Sequence, residues 1–333
     1  MLTGPVLAEV TRHDVRTGRA HVESVHAGHA VVARADGSII AQLGHHDLAV
    51  FPRSAVKPFQ AAASLAVRRE VADREVAPST EELAVAWASH RGEAAQLEAV
   101  RRLLGRADLA PEDLTCPPAV AEASAGTVPS RLQHNCSGKH ALFALAGAQI
   151  GCTGPAVLDP DGPLQREVLA RLAGWLGPPV GLGVDGCGAP APVVPLVSLA
   201  AAFTGLAVGP ELAEVREAGL AHPQLVGGRG RLESALLAAG IVAKVGAEGV
   251  YGVGFTAADG TPAGLAIKAA DGAVRGVAAV VSTVLEYAGI VPTGTWTPPP
   301  TLGGGRPVGE VRVTPAVEEF GARLARWVAG GSH

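Results

Sequence analysis

The segment Ala30-Val-Val-Ala-Arg-Ala-Asp-Gly-Ser-Ile-Ile-Ala-Gln42 contains two short apolar runs joined by Asp36-Gly37. An Asp-Gly pair between β-rich runs is a strong local signal for a two-stranded hairpin. A second pair, Asp259-Gly260, joins residues 250–256 to 264–269 in the same way. We therefore predict antiparallel strands towards both ends of the chain.

Helical spacing of apolar residues dominates the region between these strands. It predicts helices over 57–71, 80–89, 93–104, 160–175 and 212–218, and two more over 276–288 and 316–328. We therefore predict one α/β (α+β) domain over residues 1–333, with a mixed, mainly antiparallel sheet. Residues 1–53 and 239–333 form this sheet and its C-terminal helices, residues 54–238 form a mainly helical middle part, and the Pro/Gly-rich residues 292–308 are irregular.

The composition excludes several classes of protein. Apolar residues make up 48% of the 333 residues and the net charge is −4 with both signs interspersed, so nothing indicates a nucleic-acid partner. Four cysteines are too few for a disulfide framework and predict free thiols. The uncharged stretch 188–209 is predicted to be a buried helix beginning near Pro195 rather than a membrane span. The first ten residues lack a signal-peptide pattern, and we expect a cytoplasmic protein.

Lysine is scarce, and its positions are informative. The chain has 23 arginines but only four lysines, and Lys57 follows Ser54 by three residues. That spacing places hydroxyl and amine on one helical face, and a buried lysine can lose its proton and act as a base, which arginine cannot. The ordinary alternative is an N-cap serine beside a solvated lysine.

Two further segments carry candidate groups. In His134-Asn-Cys136-Ser-Gly-Lys139-His140 and Asp185-Gly-Cys187-Gly, two cysteines lie on glycine-containing turns with nitrogen ligands nearby. Such a set could hold zinc, although two buried, unpaired cysteines are the slightly better interpretation of these residues alone. Ser89 belongs to Ser89-His-Arg-Gly-Glu93, where an N-cap role is the default, and Lys268 interrupts an apolar strand.

Together these motifs resemble the L-asparaginase II family of the Rhizobium etli type (class 3). The likeness runs from about residue 5 to 290 and depends most on the H-N-C-S-G-K-H and D-G-C-G segments. It implies a fold similar to serine β-lactamases and glutaminases, and hydrolysis of L-asparagine to L-aspartate and ammonia. It also implies two serine–lysine pairs, Ser54 with Lys57 and Ser89 with Lys268, and a zinc held by Cys136, Lys139, Cys187 and water. The S-D-N and K-T-G elements of β-lactamases are absent, since Lys268 is followed by Ala-Ala.

The resulting hypothesis is amide hydrolysis through an acyl-enzyme on Ser54, with Lys57 as the base. We expect Asp185 to bind the substrate α-ammonium group, and Arg53 or His140 to bind its α-carboxylate. We also expect a homodimer with no membrane partner. Two alternatives stay open: a β-lactamase-like or peptidase-type hydrolase acting on another amide, and a zinc-stabilised protein that binds a small amino acid without turnover.

Overall fold

A computed structural model describes residues 3–69 and 77–330. Their backbone contacts divide the chain into two compact units. The first contains the described residues of 1–52, 195–207 and 243–333, and the second contains those of 53–194 and 208–242. Every predicted site residue except Lys268 belongs to the second unit.

The described strands, in chain order, are β1 Val6–His13, β2 Ala20–Ala33, β3 Ile39–Leu43, β4 Ala49–Val50, β5 Gly181–Val184, β6 Pro190–Pro195, β7 Val242–Gly246, β8 Val250–Thr256, β9 Pro262–Ala269, β10 Thr301–Gly303, β11 Arg306–Gly309 and β12 Val311–Val313. The described α-helices are α1 Lys57–Arg69, α2 Thr80–Ala86, α3 Ala94–Gly105, α4 Ser137–Gln149, α5 Pro163–Leu176, α6 Leu196–Val208, α7 Ala213–Ala221, α8 Pro223–Gly227, α9 Leu232–Ala238, α10 Val274–Tyr287 and α11 Pro315–Val328.

A seven-stranded sheet forms the centre of the first unit, in the order β12-β1-β2-β9-β8-β7 with β3 also paired to β2. Both predicted hairpins are present: β2 pairs antiparallel with β3, and β8 with β9. Gly37 and Gly260 take φ values of +82° and +89° at the two turns, a conformation that glycine adopts without steric cost. The predicted mixed α/β fold, with a mainly antiparallel sheet contributed by both ends of the chain, is confirmed.

Glycines let helix α6 lie directly on this sheet. A Cβ added to Gly264 would lie 2.0 Å from the Ala200 carbonyl oxygen, and one added to Gly252 would lie 2.0 Å from the Phe203 ring. Helix α6 is thus the buried helix predicted after Pro195. No single helix in the described ranges is long and apolar enough to cross a membrane; two helix pairs that pass on length and composition together are bent by 111° and 79°.

Helices form most of the second unit. A capping box begins α2, where the Ser79 amide donates to Glu82 and the Glu82 amide donates to the Ser79 hydroxyl. Helices α2 and α4 approach so closely that a Cβ on Gly138 would lie 2.1 Å from the Val85 carbonyl oxygen. This contact fixes the first turn of α4, which carries the lysine of the Cys-Ser-Gly-Lys motif.

The elements depart from the sequence predictions at several places. Helix α4 was not predicted, because its first turn is Ser-Gly-Lys and resembles a loop. Residues 292–308 are not entirely irregular, since β10 pairs with β11 across Gly304 and Gly305. Helix α2 ends at Ala86 and leaves Ser89 in a loop. Residues 70 and 71 of the first predicted helix lie outside the described residues.

Candidate active site

Lys57 is the most deeply buried cation near the serine motifs. It is only 1% exposed although it carries an amine. Its Nζ donates to the carbonyl oxygens of Ala88 at 2.7 Å and Asn135 at 3.3 Å, and it lies 3.2 Å from the Ser89 hydroxyl. The three contacts hold the amine of Lys57, the first residue of α1, between the loop after α2 and the segment before α4.

The chemistry of these three contacts differs. A carbonyl oxygen can only accept, whereas a hydroxyl can accept or donate. A protonated Lys57 can donate to all three oxygens. A neutral Lys57 can still donate to both carbonyls, and its remaining lone pair can then accept the Ser89 hydroxyl proton. The geometry therefore suits an amine that exchanges a proton with Ser89.

Ser54 lies three residues before this amine, in a 3-10 turn over Arg53–Val56 that leads into α1. It is half-buried, and within the described residues its hydroxyl makes no hydrogen bond. The predicted Ser54–Lys57 contact is therefore not among the hydrogen bonds of Lys57, which contacts Ser89 instead. Ser89 itself does not cap a helix, because the N-cap of α3 is Glu93.

Arg53 has a left-handed backbone conformation, with φ +53°. Such a conformation is uncommon for a residue with a Cβ and is maintained only where surrounding contacts fix it. Here the Arg53 Nε donates to Asp185 Oδ1 at 2.8 Å, and the Gly186 amide donates to the same oxygen at 2.7 Å. Two predicted substrate-binding residues are thus joined by an ion pair beside Ser54.

The two motif cysteines lie together with a lysine. Lys139 Nζ is 3.1 Å from Cys187 Sγ and is fully buried with it. A hydrogen bond from the Cys187 side chain lowers the pKa of Cys136 well below its usual value. That bond to Cys136, together with burial, raises the pKa of Cys187. Burial opposes ionisation of Lys139, but Cys187 and Cys136 outweigh it and raise the Lys139 pKa.

This donor set fits zinc. Two cysteine sulfurs and one nitrogen are ligands that Zn²⁺ prefers, and one of the sulfurs is already favoured as a thiolate. Among the described residues, no group of three His, Cys, Asp or Glu side chains is arranged to hold a metal. A zinc at Cys136 and Cys187 would therefore require the Lys139 amine as its third protein ligand. All four cysteines are free thiols, as the sequence predicts.

Two buried histidines, His90 and His140, belong to the same motif segments and are neutral near pH 7. Burial lowers the pKa of His90 to about 3 and that of His140 to about 4. His140 Nδ1 lies 2.7 Å from Thr115 Oγ1, and among the described residues its buried Nε2 has no hydrogen-bond partner. A neutral, fully buried His140 supplies no positive charge to a substrate carboxylate, so the geometry favours Arg53 over His140 for that role.

Lys268 lies in the first unit, on strand β9. Its Nζ donates to the carbonyl oxygens of Glu248 and Ala269, each at 2.6 Å. Glu248 has φ +59°, a second left-handed residue beside a motif lysine. His29 lies directly opposite Lys268 in the antiparallel β2–β9 pair, so both side chains project from the same face of the sheet.

The structure thus unites the predicted residues in three small groups: Lys57 with Ser89, Cys136 with Lys139 and Cys187, and Arg53 with Asp185. Sequence reasoning missed the carbonyl oxygens of Ala88 and Asn135, because backbone acceptors leave no mark in a motif. It also missed His29, whose only signal is its position opposite Lys268.

A lysine amine in contact with a serine hydroxyl, in a mixed α/β fold, is the arrangement expected of hydrolases that use a serine–lysine nucleophile. The chain belongs to the L-asparaginase II family, whose model matches residues 9–313. No curated protein matches the chain.

Three solved structures are similar to parts of this chain. Native Mglu is 20% identical over 78% of this chain and 63% of its own, with a TM-score of 0.36. Mglu in 4.3 M NaCl is 20% identical over 78% and 60%, with a TM-score of 0.35. The Bacillus subtilis glutaminase YbgJ, in covalent complex with 5-oxo-L-norleucine, is 14% identical over 73% and 80%, with a TM-score of 0.33. The chain spans less than two thirds of the Mglu chains. Likenesses this partial carry no argument about activity.

Proposed function

We propose that this protein hydrolyses the side-chain amide of L-asparagine to L-aspartate and ammonia through an acyl-enzyme on a serine activated by Lys57. One observation carries the proposal: the buried Lys57 amine faces two carbonyl oxygens and the Ser89 hydroxyl, and it also interacts with the Cys136 side chain. The carbonyls accept two hydrogens of the neutral amine and leave its lone pair for a serine proton. A base positioned in this way contributes rate factors of about 10²–10⁴.

Ser54 is the proposed nucleophile, as the family resemblance implies. Its hydroxyl is half-buried and makes no hydrogen bond within the described residues, so it is available to a substrate. Lys57 takes the Ser54 proton as the oxygen attacks the amide carbon. Backbone N–H groups at the start of α1 stabilise the oxyanion, a contribution of roughly 3–4 kcal/mol per donor in other enzymes.

Ser89 then carries a proton from Lys57 to the departing nitrogen, so that ammonia leaves and the acyl-serine remains. Water attacks this ester, gives its proton back through the same lysine, and aspartate is released. Lys268 is proposed to assist Ser89, again from the family resemblance. The contact between Lys57 and Ser89 supports the relay, because it joins the two serine–lysine pairs at one amine.

The ion pair of Arg53 and Asp185 supports recognition of an α-amino acid. Asp185 uses Oδ1 for Arg53 and Gly186, and within the described residues its Oδ2 has no protein donor. Among the described residues Arg53 makes a side-chain hydrogen bond only through its Nε, which leaves both terminal nitrogens of the guanidinium for a ligand. Asp185 Oδ2 would accept the substrate α-ammonium group, and the Arg53 nitrogens would bind its α-carboxylate.

We also propose a zinc ion held by Cys136, Lys139 and Cys187. When bound, zinc would supply a Lewis acid and fix the D-G-C-G turn relative to α4. The cytoplasmic location and the homodimer expected from the sequence stay predictions. Light scattering in solution tests the homodimer.

The proposal is tested with purified Ser54→Ala and Ser89→Ala proteins and a matched control, Ser64→Ala. Ser64 lies on α1, and within the part of the chain that the structure describes its hydroxyl bonds only to the Gln60 carbonyl. We expect ammonia release from asparagine to be abolished in Ser54→Ala, reduced in Ser89→Ala and preserved in the control. Activity retained in Ser54→Ala but lost in Ser89→Ala would transfer the nucleophile to Ser89.

The two alternative functions are separated by substrate. Asparagine, glutamine and a chromogenic cephalosporin are offered to the wild-type protein. Turnover of asparagine supports the proposal, and turnover of only the other amides supports a hydrolase of another specificity. Thermal stabilisation by asparagine without ammonia release would show an amino-acid-binding protein.

A further inference from the structure

A cavity in the second unit is lined by residues other than Lys57 and Ser89. Its volume is about 380 Å³, and it lies between the 3-10 turns Pro111–Asp113 and Gly154–Leu158 and helix α4. This volume is at the small end of ligand-binding pockets, so it suits a molecule of few atoms.

The cavity wall carries charges of both signs that do not neutralise one another. Arg131 and the carboxylates of Glu112 and Asp113 line it. Within the described residues Arg131 makes no ion pair, and its only side-chain hydrogen bond is from Nη1 to the Cys116 carbonyl at 2.6 Å. Glu112 has no hydrogen bond or ion pair in that part of the chain, and Asp113 accepts only the Ala110 amide.

The rest of the wall is apolar and includes Leu109, Leu114, Ala144, Val157 and Leu158. A ligand complementary to this wall carries an anionic group for the guanidinium, a cationic group for the carboxylates and an aliphatic body. Each charge of such a ligand gains a charge-assisted hydrogen bond, and its body is removed from water.

We propose that this cavity binds a free α-amino acid with an aliphatic side chain, and that its occupancy is coupled to the candidate active site. Arg131 binds the α-carboxylate, Glu112 and Asp113 bind the α-ammonium group, and the apolar wall contacts the side chain.

The coupling has a short physical path. Thr115 lines the cavity, and its hydroxyl lies 2.7 Å from His140 Nδ1. His140 follows Lys139 on α4, and its imidazole interacts with the Cys187 side chain. A ligand that moves Thr115 therefore changes the hydrogen bonding of a residue beside the proposed zinc ligands. Coupling of this kind is reciprocal, so asparagine must in turn alter the affinity for the second ligand.

Calorimetric titration with L-leucine tests the site, with 4-methylpentanoate (no ammonium) and 3-methylbutylamine (no carboxylate) as matched probes. We expect leucine to bind, and each probe to bind at least about tenfold more weakly because one charge-assisted contact is lost. Glu112→Gln should weaken leucine similarly, whereas Glu167→Gln, at an exposed position of α5 outside the cavity, should not. Equal binding of all three molecules, or no leucine binding at millimolar concentration, would overturn the proposal.

The location is tested separately. Thr153→Trp introduces a large side chain at an exposed position of the cavity wall, and it should abolish leucine binding while kcat for ammonia release at saturating asparagine stays unchanged. Asp185→Asn, in the candidate active site, should keep it. Leucine binding that survives Thr153→Trp, or that is lost in Asp185→Asn, would place the ligand elsewhere and refute the site. For the coupling, leucine should change the KM for asparagine in wild-type protein but not in Thr115→Val; an unchanged KM in both would refute it.

Discussion

Replacing Lys57 with methionine separates the chemical role of the amine from its packing. Methionine has a similar length and fills the same apolar space, but it cannot donate or accept the protons that Nζ does. The side chain is 1% exposed, so among the described residues the substitution leaves the Ala88 carbonyl without a donor, whereas the Asn135 carbonyl still accepts the His90 amide at 3.2 Å.

The stability effect has two opposing parts. The unsatisfied Ala88 acceptor costs roughly 1–3 kcal/mol. Removing the buried amine also removes its own desolvation cost, which offsets part of that loss. We therefore expect a net destabilisation of about 0.5–2 kcal/mol, measured by urea unfolding followed by circular dichroism.

The activity effect is larger and is measured where both proteins are folded. Loss of the base should lower kcat for ammonia release from asparagine by a factor of about 10²–10⁴. Lys244→Met is the matched control, because Lys244 is also fully buried and donates to a backbone carbonyl, that of Val245. A folded Lys57→Met protein with activity within tenfold of wild type would refute the role of this amine.

Three further perturbations have defined outcomes. Gly138→Ala should destabilise the protein by about 1–3 kcal/mol, because the new Cβ would lie 2.1 Å from the Val85 carbonyl oxygen. Gly174→Ala is the control in α5: a Cβ added there meets no described atom within 4 Å, and it should stabilise the protein by about 0.5–1 kcal/mol. Equal effects of the two substitutions in urea unfolding would contradict the close packing at Gly138. Burial lowers the pKa of His90 from 6.5 to about 3. Between these two pH values His90 is protonated in the unfolded chain but neutral in the folded protein, so the free energy of unfolding falls as the pH is lowered from 6.5 towards 3. The wild type should lose about 2 kcal/mol from this group between pH 7 and pH 5, and His90→Gln should lack that part of the loss; parallel pH curves for the two proteins would show that His90 is not buried as described. Native mass spectrometry should find one zinc per chain in the wild type and none after chelation or in Cys187→Ser, and an unchanged mass in all three samples would exclude the metal.

Local signals predicted the sheet well. The Asp-Gly pairs at 36–37 and 259–260 both join antiparallel strands, because the turn geometry is encoded in two adjacent residues. The capping box at Ser79 is equally local, because its two partners, Ser79 and Glu82, are three residues apart. In each of these places the determining residues are neighbours in sequence.

Where packing decides the structure, the sequence was less informative. The first turn of α4 contains Gly138, and glycine has a low helix propensity. The structure needs glycine at this position because any side chain would collide with the Val85 carbonyl oxygen of α2. The site shows the same limit. The scarcity of lysine indicates that Lys57 has a chemical role, but the carbonyl acceptors of the Lys57 amine lie 31 and 78 residues further along the chain. Contacts of that range depend on the completed fold rather than on a motif.

The pairing of β1 with β12 has a consequence for biosynthesis. Ala8 lies opposite Val313, so an edge of the seven-stranded sheet is assembled from segments made at very different times. At translation rates of about 5–20 residues per second, the partner of β1 emerges roughly 15–60 s after it. During that interval one edge of β1 is unpaired in the nascent chain. This edge must not form β-sheet hydrogen bonds with another nascent chain on the same polysome.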